Sequence, residues 1–154
     1  MSKQTILLAD DDRTTRSIIT SILESKGYDV TATERGEKCL FNALEKTYDA
    51  VLVDINMPGL SGIDLCRRLR EIDRYKMIPI IVITTLHEEF ILTEAFSVGA
   101  SDFISKPVNP TVLAARLKSH LYKKHYYDEL ERNRQYLNRY VSLRTQRMVE
   151  AYAL

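Results

Sequence analysis

Four short apolar runs in this chain each end in a reactive polar residue. Ile6-Leu7-Leu8-Ala9 runs into Asp10-Asp11-Asp12, and Ala50-Val51-Leu52-Val53 stops at Asp54. Ile80-Ile81-Val82-Ile83 stops at Thr84, and Asp102-Phe103-Ile104-Ser105 stops at Lys106. Buried parallel strands read as short, nearly continuous apolar runs. In open α/β sheets the ligand site lies beyond the carboxyl ends of the strands. As neighbours in one parallel sheet, these runs would bring carboxylates, a hydroxyl and an ammonium to one edge.

The intervening segments carry helical patterns. Residues 13–26 place Ile18, Ile19, Ile22 and Leu23 on one face, and Gly27 stops the run. Residues 29–33 read as a short strand, and residues 36–46 repeat apolar groups at Cys39, Leu40, Ala43 and Leu44. Pro58, Gly59 and Gly62 make a loop after Asp54. Residues 63–70 and 88–98 are helical, the second stopped by Gly99. The reading is β-α five times, which predicts a parallel sheet covered on both faces.

The chain has 154 residues, enough for one ordinary domain and an appendage. No apolar run approaches the ~18 residues that span a membrane, and the first residues enter a strand directly, so a cytoplasmic location is expected. Cys39 and Cys66 fall in predicted helices and read as buried small apolar residues rather than a disulfide. Residues 1–115 hold 13 Lys and Arg against 17 Asp and Glu, whereas residues 116–154 hold 9 against 4. That asymmetry marks a boundary, and the final helix of a compact domain should end near Leu121, giving a body of residues 1–121 and a helical extension of 122–154. Nucleic-acid binding is not expected of the acidic body.

From Pro110 onward there is no further Pro or Gly, which predicts one long helix over 110–154. Tyr127, Leu130, Arg134, Leu137, Val141, Arg144, Met148 and Ala151 fall at alternating three- and four-residue spacings. This is a heptad seam with two arginines at core positions. A short parallel coiled coil, hence a homodimer, and a monomeric helix both remain open.

Asp10, Asp11 and Asp54 would crowd three carboxylates into one crevice. Two unit charges 4 Å apart repel by about 4 kcal/mol at an effective dielectric of 20. Oxygen ligands of this kind suit Mg²⁺, which keeps some of its waters. Lys106 adds a fixed positive charge, and the surplus suits an incoming phosphoryl group. Carboxylates can attack phosphorus and form acyl phosphates. Asp54, alone at its strand end, is one candidate nucleophile. Asp10 is the other, because Asp10-Asp11-Asp12-Arg13-Thr14 fits the D-x-D-x-T pattern of haloacid-dehalogenase-type phosphatases. That pattern needs a later acidic pair, and the next acid after Lys106 is Asp128, inside the tail. A scaffold or dimerisation module with a vestigial site is the remaining alternative.

Over residues 4–121 the chain resembles response-regulator receiver domains of the CheY-like family. The resemblance rests on Leu-Leu-Ala-Asp-Asp-Asp-Arg-Thr-Thr-Arg, Val-Leu-Val-Asp-Ile-Asn-Met-Pro-Gly-Leu-Ser-Gly, Ile-Ile-Val-Ile-Thr-Thr and Gly-Ala-Ser-Asp-Phe-Ile-Ser-Lys-Pro, in that order. It implies a flavodoxin-like (βα)5 fold with strand order 2-1-3-4-5. It implies that Asp54 is the phosphoacceptor, charged by a histidine kinase or phosphotransfer protein, with no turnover of an external substrate. Mg²⁺ would be held by the side chains of Asp11 and Asp54, the backbone carbonyl of Asn56, and Asp10 through a water. Thr84 would hydrogen-bond the phosphoryl oxygens, and Lys106 would pair first with Asp54 and then with the phosphate. The Lys106–Pro107 peptide is cis in the family. Phe103 occupies the position of an aromatic switch residue, without the hydroxyl of the commoner Tyr. Thr85 is larger than the family's frequent Ala or Gly. Leu86 is apolar where others carry a polar residue, which implies slow autodephosphorylation. The tail resembles linker helices that lead to HD-GYP-type and other output domains.

Other polar residues read as structural. Asp12 is expected as a helix N-cap, Met57 as loop packing, and His87, His120 and His125 as surface residues. The tail tyrosines, among them Tyr122, Tyr126 and Tyr140, are expected to pack a helix interface.

Overall fold

The computed structural model describes residues 2–85 and 88–152. Strands and helices alternate in chain order: β1 (Thr5–Ala9), α1 (Arg13–Ser25), β2 (Asp29–Thr33), α2 (Gly36–Glu45), β3 (Ala50–Asp54) and α3 (Gly62–Arg70). A short 3₁₀ turn (Asp73–Tyr75) precedes β4 (Ile80–Thr84), α4 (Glu89–Ser97), β5 (Asp102–Ser105) and α5 (Pro110–Tyr152). The strands form one parallel sheet in the order β2-β1-β3-β4-β5. This is the expected flavodoxin-like architecture. Leu121 and Tyr122 mark the division between two compact units.

The central strands β1, β3 and β4 are apolar without alternation, save Thr5 at the start of β1 and Asp54 and Thr84 at the ends of β3 and β4, because both faces are covered. Alternate residues enter different cores. Leu7, Val51, Val53, Ile80 and Val82 pack with Cys39, Ala43, Leu65, Cys66, Leu69 and Ala95 of α2, α3 and α4. Ile6, Leu8, Leu52, Ile81, Ile83 and Ile104 pack with Ile19, Leu23, Leu113, Leu117 and Leu121 of α1 and α5. Each fully buried Leu, Ile or Val contributes about 1.5–3 kcal/mol.

Local signals set the element ends. Asp12 caps α1 by accepting from Thr15 N at 3.0 Å, and Ser61 caps α3 by accepting from Asp64 N. Gly27 and Gly99, in left-handed backbone, follow α1 and α4. Three packing expectations need correction. Ile18 and Leu44 point outward and are about half exposed, since the inward arcs of α1 and α2 are narrower than the apolar stripe. His120 is not a surface residue: its side chain is 16% exposed and its Nε2 lies 3.0 Å from Asp102 Oδ2. His125 is exposed beside Glu129, whereas Leu86, His87 and the expectations resting on them lie outside the described residues. Both cysteines are free and buried, and burial pushes the Cys39 thiol up to about 12.

In the second unit the helix carries exposed Leu130, Leu137, Val141 and Met148. Its surface holds Lys124–Asp128 and Arg134–Glu131 ion pairs, an edge contact between Tyr122 and Tyr126, and Arg144 over the Tyr140 ring. Among the described residues no helix is long and apolar enough to cross a membrane.

Candidate functional site

Strand register brings the polar strand ends together. Ala9 pairs with Val53, Asp54 with Ile83, and Thr84 with Ser105. Backbone bonds extend the ladder by one residue: Asp10 N donates to Thr33 O, Ile55 N to Ile83 O, and Lys106 N to Thr84 O. Asp10, Asp54 and Thr84 are all buried, and Asp11 beside them is exposed. One carboxylate oxygen each from Asp10, Asp11 and Asp54 can be chosen so that all lie within 4.8 Å of one another.

Lys106 Nζ stands 3.2 Å from Asp10 Oδ2 and 3.2 Å from Asp54 Oδ2. One ammonium is thus shared between two buried acids. Burial first, and then the charge of Asp10, push the Asp54 carboxyl up to about 7, against the opposing pull of Lys106. Burial works against the charge of Lys106, yet Asp54 and Asp10 leave its ammonium above its ordinary value. The Lys106–Pro107 peptide is cis, as the resemblance implied.

The remaining lone pairs are unevenly served. Asp10 Oδ1 accepts from Asp12 N at 2.8 Å, and Asp54 Oδ1 from Asn56 N at 3.3 Å. Asp10 Oδ2 is buried, and its polar neighbour is the Lys106 ammonium, which it shares with Asp54 and which reaches it without a well-aligned hydrogen bond. One ammonium shared between two buried carboxylates leaves their negative charge only partly balanced, and buried charge left uncompensated is costly. Three carboxylates whose oxygens lie within 4.8 Å of one another, with a single ammonium between two of them, form an all-oxygen donor set that fits a hard divalent cation and its waters. The β3–α3 loop that would frame such an ion is held close: a Cβ on Gly62 would lie 2.3 Å from Asp54 O and 2.6 Å from Ile55 Cα. Only glycine allows that approach.

Phe103 lies on β5, with β4 between it and the strand that ends in Asp54. Its ring makes an edge contact with Phe96, centroids 6.4 Å apart, and lies 5.5 Å from the Arg116 guanidinium. Arg116 also donates to Phe103 O and lies 3.5 Å from Asp102 Oδ1. Asn56 is exposed and Met57 is buried in the loop. Sequence reasoning missed Arg116 and His120 around Asp102, and Glu37, whose carboxylate accepts from Leu60 N. A first-turn glutamate facing a glycine-rich loop was the available signal for the last.

A response regulator receiver domain family model matches residues 6–118. The transcriptional regulatory protein ResD of Bacillus subtilis is 36% identical over 114 residues, 74% of this chain and 46% of that protein. A putative response regulator from Chloroflexus aurantiacus superposes with a TM-score of 0.76 at 31% identity, covering 79% of this chain and 99% of that one. The receiver domain of a Pseudomonas aeruginosa sensor histidine kinase gives 0.74 at 28% identity, covering 78% and 98%. Its structure has a magnesium ion coordinated in the active site cleft. The chain spans about half the length of the curated relatives it matches. These likenesses do not favour the phosphatase alternative built on Asp10. The family match, the fold and these relatives agree: this chain belongs to the response regulator receiver domain family.

Proposed function

We propose that Asp54 accepts a phosphoryl group from the phosphohistidine of a histidine kinase or phosphotransfer protein. An Asp54 carboxylate oxygen attacks phosphorus, the P–N bond breaks, and an acyl phosphate forms while the imidazole leaves with the bond pair. The observation that carries this reading is Lys106 Nζ poised between Asp10 and Asp54, beside the three-carboxylate cluster. Asp10, Asp11, Asp54 and the Asn56 carbonyl would hold Mg²⁺, which supplies positive charge to the transferring group. Lys106 transfers its pairing from Asp54 to a phosphoryl oxygen, and the Thr84 hydroxyl donates to another. Phe103 then repositions, and the tail relays the state to a second copy or to a downstream output domain. The chain turns over no external substrate in this reading and works in the cytoplasm.

Acetyl phosphate with Mg²⁺ should add one phosphoryl group by mass. Asp54→Asn should abolish the addition, and Asp10→Asn with excess Mg²⁺ should retain it. Labelling that survives Asp54→Asn would transfer the role to another acid. Sedimentation with and without beryllofluoride, a phosphoryl mimic, tests the tail: an unchanged oligomeric state would remove the homodimer relay.

A further inference from the structure

Residues 55–61 join β3 to α3 and carry Asn56, so their conformation sets one wall of the acidic site. This loop is tied to α2. Leu60 N–H donates to Glu37 Oε1 at 2.9 Å. A Cβ on Gly59 would lie 2.5 Å from that same oxygen, and Gly59 has φ +75°. A Cβ on Gly36 would lie 2.6 Å from Leu60 O. The first turn of α2 and the loop therefore meet at glycine on both sides, with the carboxylate as the polar contact between them.

Glu37 also sits well for the dipole of α2. Its own backbone N–H and that of Leu60 hold its carboxyl below the ordinary carboxylate range. A dipole role alone, however, would not need the carboxylate to reach across and accept from Leu60 N–H. The side chain is exposed, so its charge is screened from the site and its influence must run through position.

We propose that Glu37 is a positioning residue for the divalent cation, fixing through Leu60 N–H the loop that bears Asn56. This rests on reading the acidic cluster as a Mg²⁺ site. Residues that orient metal ligands typically alter affinity by about 10–100-fold. As Glu37 acts through the loop, the low end applies.

The test is calorimetric titration of the full chain with Mg²⁺ alone, with urea unfolding in EDTA run in parallel. Glu37→Ala and Glu37→Met should each raise the Mg²⁺ Kd about tenfold. Glu37→Gln keeps an acceptor for Leu60 N–H and should stay within about twofold of the unaltered chain. Phosphorylation by acetyl phosphate should recover in Glu37→Ala at saturating Mg²⁺, since positioning moves affinity and not the plateau rate. Unchanged Mg²⁺ affinity in Glu37→Ala and Glu37→Met overturns the proposal, as does a loss in Glu37→Gln equal to theirs. A lower urea midpoint with unaltered Kd assigns Glu37 a stabilising role only and also overturns it. If the unaltered chain takes up no Mg²⁺, the metal-site reading itself falls, and the positioning role falls with it.

Discussion

Removing the ammonium from the acidic site while keeping its stem, as Lys106→Met does, should make stability depend on pH in a new range. At 3.2 Å and an effective dielectric of 20, each ammonium–carboxylate pair attracts by about 5 kcal/mol before desolvation is counted. Asp54 is already raised to about 7 with Lys106 in place. Without it, the folded protein holds the Asp54 proton well above neutrality. An acid with a raised folded pKa makes folding take up a proton, so stability is highest below the unfolded pKa of about 3.9 and falls as pH rises. In the unaltered chain without Mg²⁺ that fall ends near pH 7. In Lys106→Met it continues at about 1.4 kcal/mol per pH unit. The gap between the two proteins should therefore widen by about 2 kcal/mol between pH 7 and about pH 8.5. Urea unfolding in EDTA, followed by circular dichroism at both pH values, measures it. A gap of constant size would refute the reasoning, because it would mean that Asp54 does not take the charge Lys106 leaves unbalanced.

Gly62→Ala should cost about 1–3 kcal/mol in urea unfolding and slow acetyl phosphate labelling, since its Cβ meets Asp54 O and Ile55 Cα rather than a movable side chain. Arg70→Met should cost about 3 kcal/mol or more by the same unfolding assay. Arg70 donates to the carbonyls of Gly99, Tyr75 and Ile78 and to Ser101 Oγ. Arg70→Lys should recover little, because an ammonium cannot span those acceptors.

Strand ends and site acids were legible because each obeys a local rule. β3 and β4 are buried on both faces, so their residues are apolar without alternation, and the break at Asp54 and Thr84 stands out. Asp12 was legible as a cap because its partner, Thr15, is three residues away. Arg70 and Glu37 were not, because most of their partners are backbone groups that every residue possesses, and Gly99 and Leu60 stand 29 and 23 residues distant. His120 likewise meets Asp102 only after β5 and α5 have packed, 18 residues apart. The 3₁₀ turn Asp73–Tyr75 is too short to show a period, yet it buries Tyr75, whose hydroxyl donates to Lys46 O and accepts from Tyr48 N.

The sheet separates two apolar compartments that, among the described residues, have no side chain in common. Leu52 and Val53 are consecutive, yet each answers to a different set of helices. A volume change on one side can therefore reach the other only by carrying a strand bodily with it, because close-packed interiors transmit strain rather than absorb it. β1 and β5 lead directly into site residues and β3 and β4 end in them, so any such displacement arrives at the carboxylates and the ammonium together. A ligand held at that edge would correspondingly act on both compartments at once, through the strands they share.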